Sequence, residues 1–371
     1  MSTIGFDAKR YFLNHTGLGN YSRDLIRILE TYYPENTYYK YTPKIPHELS
    51  SEQLLTNNIR LPRDFFSKLS PRFWRNSGII KDLKKDQVNL FHGLSGEIPI
   101  GLQEANIKSV VTIHDLIFLH FPELYSSVDR WIYDKKARFA VKNADKIIAI
   151  SEQTKKDIIS SYDVPENKIE VIYQVSHPAF KKPKSDAEKQ AIKEKLNLPT
   201  NFLLNVGSIE PRKNAFQIVK AVETLDIPLL IIGKETAYSD TIKEYVAKKG
   251  LGSKVIFMKG LSMEELAVIY SLASIFIYPS KYEGFGIPII EALYSGTPVI
   301  TTNSGVFPEA GGPNSRYVDP NNIEELQNAI IEILSDQELA RKMSITGLEF
   351  VQKFNDDVIA RQLNNVYSSL I

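Results

Sequence analysis

Leu229-Leu230-Ile231-Ile232, set between Pro228 and Gly233, is four apolar residues in succession with no alternation. The run is too short for an ordinary helix, and a strand of this kind must be covered on both faces. Val110-Val111-Thr112-Ile113 shows a similar pattern in the first half of the chain. Strands buried on both sides belong to parallel sheets whose crossover helices pack above and below them.

Outward from Leu229 to Ile232, strands are expected at 202–206, 228–233, 255–258, 275–278, 298–302 and 316–318. Helical patterns fall between and after them at 214–224, 240–249, 263–272, 288–295 and 323–335, with more helix beyond. The first half carries strands at 3–7, 37–41, 88–92, 109–114, 146–150 and 169–173, with helices at 19–31, 130–142 and 152–162. Between the halves, His177-Pro178-Ala179-Phe180-Lys181-Lys182-Pro183-Lys184 is rich in Pro and Lys and reads as a connector. The expectation is an α/β chain of two Rossmann-like domains, 1–178 and 179–352, followed by a final helix over 353–371.

Composition narrows the function. A chain of 371 residues exceeds what one core usually supports, and 43% hydrophobic with 24% charged residues is ordinary for globular protein. A formal net charge of +1 argues against a surface built throughout for nucleic acid. The absence of cysteine excludes disulfides, thiolate metal sites and a Cys nucleophile. No basic stretch and apolar core opens the chain, and no apolar run approaches the roughly 20 residues that span a bilayer. A cytoplasmic protein is expected.

Parallel sheets bind ligands just past the carboxyl ends of their strands, which directs attention to three loops. The first is His15-Thr16-Gly17-Leu18-Gly19-Asn20-Tyr21, whose glycines admit an anion to a helix N-terminus. Alone, it equally fits an unliganded helix start. Ser22 also replaces the third glycine of the dinucleotide fingerprint. The second is Phe202-Leu203-Leu204-Asn205-Val206-Gly207-Ser208-Ile209-Glu210-Pro211-Arg212-Lys213-Asn214. Here a strand ends in a small-residue turn and delivers a guanidinium fork beside an ammonium, a pair suited to a diphosphate. The third is Glu283-Gly284-Phe285-Gly286-Ile287-Pro288-Ile289-Ile290-Glu291-Ala292. Pro288 marks a first helical turn, and two carboxylates flank it, each able to accept from a vicinal diol.

Together with His114-Asp115, Ala144-Asp145-Lys146-Ile147-Ile148-Ala149-Ile150-Ser151 and Gly296-Thr297-Pro298-Val299-Ile300, these motifs resemble, in order, the retaining GT-B glycosyltransferases of family GT4. The resemblance implies a fold of two Rossmann-like domains facing across a cleft, 1–178 binding the acceptor and 179–352 the nucleotide sugar, with the last helix crossing back to the first. It also implies roles. Gly17 and Gly19 would cradle the donor diphosphate, and Arg212 and Lys213 would neutralise it. Glu291 would hold the ribose, and Lys259, Gly260 and Leu261 would meet the base. Ser304, Gly305, Val306 and Glu309 would lie near the nucleotide. The Gly284-Phe285-Gly286 backbone and Glu283 would meet the transferred sugar, with His114 beside it at the reaction centre.

No cofactor and no metal is expected. The histidines show no ligand spacing, and cations occupy the place where Mg²⁺ would need carboxylates. The segment Ile209-Glu210-Pro211-Arg212-Lys213-Asn214 is similar to one frequent among mannosyltransferases of that family. GDP-mannose is therefore the expected donor, with a UDP-sugar as the alternative, and a glycan or lipid-linked glycan as acceptor. Glu283 and Glu291 also permit a glycoside hydrolase reading, with the two as acid and base. A non-catalytic nucleotide-sugar-binding protein is a further alternative. Finally, residues 60–86 hold Arg60, Arg63, Lys68, Arg72, Arg75, Lys81, Lys84 and Lys85 against Asp64, Asp82 and Asp86, interleaved with Phe65, Phe66, Phe73 and Trp74. Peripheral contact with an anionic membrane at its inner face is expected there, unless the aromatics pack inward as an ordinary connector.

Overall fold

The computed structural model of the chain describes residues 1–14, 16–45 and 58–371; His15 of the first glycine motif lies outside them. Two compact units result: Met1–Val175 with Phe354–Ile371, and Ser176–Lys353.

The first unit is built on a sheet ordered β3-β2-β1-β4-β5-β6-β7 among the described residues. Its strands are β1 (Thr3–Asp7), β2 (Thr37–Tyr41), β3 (Ile59–Arg60), β4 (Leu90–Gly93), β5 (Lys108–Ile113), β6 (Lys146–Ala149) and β7 (Ile169–Val171). The second unit orders its strands β10-β9-β8-β11-β12-β13. These are β8 (Leu203–Val206), β9 (Leu229–Ile232), β10 (Val255–Met258), β11 (Ile275–Tyr278), β12 (Val299–Thr302) and β13 (Arg316–Val318). Every pairing is parallel, with Leu230 opposite both Leu204 and Ile256. Leu229–Ile232 is buried on both faces, as its lack of alternation requires. Truncating one such side chain, Ile231→Ala, costs about 2–5 kcal/mol.

Both sheets reverse strand order once, between β1 and β4 in the first unit and between β8 and β11 in the second. A crevice opens at such a reversal, because neighbouring connections leave to opposite faces. In the second unit the seam is stitched by Asn205, whose buried side chain donates to the Ile277 carbonyl at 2.8 Å.

The final helix, Asp356–Ser368, completes the first unit by packing on the helix Gly17–Tyr32. Arg27 pairs with Asp356 at 2.7 Å, and Tyr367 reaches His92 at 2.7 Å in the core. Elements outside the sequence reading include β3, the short helices Lys9–Leu13, Phe65–Leu69, Pro71–Phe73 and Ile79–Lys85, and the helix Asp186–Lys195.

The basic segment is corrected in part. Trp74 does not belong to an exposed face: it is fully buried and donates its indole N–H to Asp82 at 2.7 Å. Arg63 pairs with Asp86 at 2.6 Å, Arg60 with the same carboxylate at 3.4 Å, and Arg75 with Asp7 and Glu97. Carboxylates that are partly or fully buried claim the three arginines, and Asp82 claims the buried indole, so these side chains are structural.

Candidate functional site

In the first unit the β1–β4 reversal opens a cavity of about 260 Å³, lined by Arg10, Leu18, Glu97, His114, Tyr125 and Lys136 among others. His114 directly follows β5, and both of its ring nitrogens are engaged. Nε2 donates to the Leu94 carbonyl at 2.9 Å, so Nδ1 is the acceptor for the Gln174 amide at 3.1 Å. The Tyr21 ring meets the imidazole edge-on at 4.5 Å. Burial, with a smaller push from Arg10, lowers its pKa to about 4 despite the opposing Leu94 bond. The imidazole is neutral at pH 7 and has no nitrogen left to take a substrate proton, so it shapes the wall rather than acting as a base.

Leu18, between the two glycines, borders the same cavity, which places the start of the Gly17–Tyr32 helix beside His114. Gly19 is needed for a packing reason: a Cβ there would lie 1.8 Å from the Asn14 carbonyl oxygen. The Asn14 side chain accepts from the Thr16 and Gly19 N–H groups at 2.9 and 3.2 Å and so caps this helix from outside. A Cβ on Gly17 would meet nothing, leaving that edge open to a ligand. Sequence reasoning missed Arg10, Glu97 and Lys136. Glu97 joins Arg75 at 3.3 Å and Lys136 at 3.1 Å, so part of the cavity lining is an ion pair. The signal for two of them was position: Arg10 follows β1 and Glu97 follows β4, the two strands at the reversal, whereas Lys136 sits within the helix Ser127–Asn143.

In the second unit the β8–β11 reversal gathers Arg212, Lys213 and Glu283. Pro211–Lys213 forms one helical turn ending at Asn214, which is left-handed (φ 63°) and ties the loop to the Pro279 and Pro320 carbonyls. Gly207, at φ 151°, leaves the room that Lys213 occupies; a Cβ would stand 3.2 Å from its Nζ. Glu283 accepts ion pairs from Arg212 at 2.8 Å and Lys213 at 3.5 Å. Hydroxyls of Tyr278 and Ser280 donate to the same oxygen at 2.9 and 3.1 Å. Burial alone would raise this carboxyl's pKa; Lys213 and Arg212 outweigh it and hold it below the ordinary value. All three side chains are mostly buried. Glu283 is therefore an ionised acceptor, ill suited to donate a proton as a hydrolase's general acid.

The remaining positions spread around the carboxyl ends of the second sheet. Glu291 is buried one turn into the helix Ile287–Tyr294 and accepts from the Tyr270 hydroxyl at 3.1 Å. Gly286 begins that helix at φ 106°, and its Cβ position would touch Ala310 at 3.6 Å, which brings the Glu309 helix Phe307–Gly311 alongside. The Phe285 side chain is in the core, so a sugar meeting Gly284–Gly286 meets backbone and not the ring. Val306 is likewise core, behind Ser304 and the left-handed Gly305 (φ 64°). Lys259, Gly260 and Leu261 follow β10; Lys259 is exposed and lies 4.0 Å from Glu235. Among the described residues no group of three or more His, Asp or Glu is placed to hold a metal ion.

Comparison with known proteins agrees with this architecture. The family model "Glycosyltransferase Family 4" matches residues 16–175, and "Glycosyl transferases group 1" matches 186–350. O-antigen chain mannosyltransferase B of Escherichia coli is 26% identical over 378 aligned positions, covering 96% of both chains. O-antigen chain mannosyltransferase RfbU of Salmonella typhimurium is 33% identical over 233, covering 62% of both. The crystal structure of Anabaena HepE in complex with UDP superposes over 100% of both chains with a TM-score of 0.78 at 16% identity. With both halves matched in order and two Rossmann-like parallel sheets of the GT-B kind, the chain belongs to the group 1, family 4 glycosyltransferases.

Proposed function

We propose that the chain is a retaining hexosyltransferase that moves mannose from GDP-mannose to a glycan or lipid-linked acceptor without a metal ion. The observation that carries the reading is Arg212 and Lys213, held side by side by Glu283 at the β8–β11 reversal. Two fixed cations at that point neutralise a departing diphosphate as its charge develops, and they pay no reorganisation cost at that moment. As the bond from the anomeric carbon to the phosphate oxygen breaks, the acceptor oxygen bonds to that carbon on the same face. The acceptor's proton passes to the departing phosphate oxygen. A neutral His114 with both nitrogens engaged suits a mechanism that asks no protein base for that proton. The mannosyltransferase names of two relatives support mannose.

The test is thermal stability with GDP, UDP, ADP and NAD, each with EDTA or Mg²⁺. A ligand at 100 times its dissociation constant stabilises by about 2.7 kcal/mol. GDP stabilising equally in EDTA is the expected result. UDP doing so instead replaces the donor, dependence on Mg²⁺ removes the metal-free mechanism, and a response to NAD alone overturns the reading.

Peripheral contact with an anionic bilayer belongs to the same proposal. Phe65, Phe66, Leu69 and Phe73 are 70%, 75%, 68% and 53% exposed, an aromatic tip that water alone serves poorly. Lys68, Arg72, Lys81, Lys84 and Lys85 remain exposed around or behind it, without the carboxylate partners that Arg60, Arg63 and Arg75 have among the described residues.

A further inference from the structure

The first unit holds a second cavity, of about 280 Å³, that the family-level reading leaves unused. Its walls are mainly apolar, with Ile98, Ile100, Trp131 and Phe139 among them. Glu97 and Lys136, paired at 3.1 Å, line this cavity and the His114 cavity alike, so the two are neighbours across one ion pair. Trp131 is 63% exposed, with the Lys135 ammonium 5.0 Å from its ring centroid. An indole left open on a cavity wall forgoes the burial that usually keeps tryptophan in a protein.

We propose that this cavity is a second acceptor subsite, which takes the sugar adjoining the one in the His114 cavity and stacks it on Trp131. The inference rests on reading the first unit as the acceptor-binding half. Three observations favour a sugar ring as occupant. Volumes of about 260 and 280 Å³ fall just under the roughly 300 Å³ at which drug-sized pockets begin, which suits one ring each and not a nucleotide. The lining pairs an aromatic face with a polar rim, matching the C–H face and hydroxyl edge of a pyranose. Glu97 offers an acceptor, and Lys135, Lys136 and Asn76 offer donors. A hydrocarbon tail would instead cover the Glu97–Lys136 pair with nothing to replace its water, which is costly for an ion pair.

The experiment uses the whole chain with GDP present and reads fluorescence quenching by iodide. The sequence has two tryptophans; Trp74 is fully buried, so iodide reports on Trp131. The probes are methyl α-mannoside and the set of α-linked methyl mannobiosides. One mannobioside is expected to shield Trp131 where the monosaccharide does not. With GDP-mannose as donor, Trp131→Ala is expected to lower the mannobioside-to-mannoside ratio of kcat/KM about three- to tenfold, the size of a stacking contact. Trp131→Phe restores most of that ratio. A ratio unmoved by Trp131→Ala, equal shielding by both sugars, or no shielding at tens of millimolar while GDP still stabilises the chain overturns the subsite alone. Failure of every nucleoside diphosphate to bind overturns the reading beneath it.

Discussion

Arg212 and Lys213 present a physical problem before they present a function: two cations mostly out of water need a counter-charge, and Glu283 supplies it. A donor diphosphate arriving at this point competes with that carboxylate. Glu283 thus sets both cations in place and tempers how strongly they hold an anion. Replacing it separates the two effects. Glu283→Gln keeps the shape but removes the carboxylate that both cations share, leaving Lys213 without its ion pair and Arg212 with Glu210 at 3.7 Å alone, which is expected to cost the free chain about 3–5 kcal/mol. The nucleoside diphosphate should then stabilise the variant more than the parent, because it restores the missing charge. Transfer is expected to fall at least a hundredfold, the cost of losing one preorganised group at the reacting sugar. Melting curves with and without GDP, beside turnover, check this; an unchanged ligand shift and unchanged turnover would falsify the role. These residues were legible as types at strand ends, whereas their meeting was not. Glu283 reaches Arg212 only because β8 and β11 are neighbours, and that adjacency is a property of sheet order rather than of local sequence.

At the scale of elements, legibility follows burial. Strands such as β9 and β11 announce themselves because consecutive apolar residues have nowhere to go but a covered sheet. The helix Asp186–Lys195 buries none of its residues, so it carries no apolar stripe to read. Its one signal was a capping box, Ser185 with Glu188 three residues on, directly after the connector 177–184. The short helices Phe65–Leu69 and Pro71–Phe73 are the opposite case: apolar side chains are present and point outward. Asp64 caps the first through the Ser67 N–H at 2.9 Å, so the tip is a folded element whose aromatics are held in the open. If it seats on lipid, flotation with anionic vesicles carries the protein up at low salt, and neutral vesicles leave it behind. Each cation near the surface adds about 1 kcal/mol, and raised salt weakens the attraction. Phe65→Ser with Phe66→Ser should abolish flotation without moving the melting temperature. Flotation that survives those changes would mean that another surface binds, and none with the parent chain would end the idea.

For the molecule as a whole, the decisive fact is that the chain returns: residues 354–371 complete a unit begun 350 residues earlier, so the first unit cannot finish folding until the second has been made. What the returning helix brings is Tyr367, at one end of a buried chain of polar groups. Its hydroxyl lies 2.7 Å from His92 Nδ1, His92 Nε2 lies 2.8 Å from Thr112 Oγ1, and that oxygen lies 2.9 Å from the Tyr21 hydroxyl. Tyr21 in turn packs on His114, so the last helix is tied by hydrogen bonds and ring contact to the wall of the candidate acceptor cavity. Burial, reinforced by His114, lowers the His92 pKa to about 3, and burial lowers that of His114 to about 4. In the unfolded chain both titrate near 6.5. Below that pH the unfolded state gains protons that the folded state refuses, so stability is full above about 6.5 and is lost as pH falls toward 4. Each imidazole contributes a slope of about 1.4 kcal/mol per pH unit in that window. His92→Gln removes one titrating group and should flatten the slope by about that amount, whatever it does to stability at pH 7. Urea unfolding between pH 7 and 4.5 measures both chains. Equal slopes would mean that His92 titrates alike folded and unfolded, and the neutral buried chain linking the last helix to His114 would have to be abandoned.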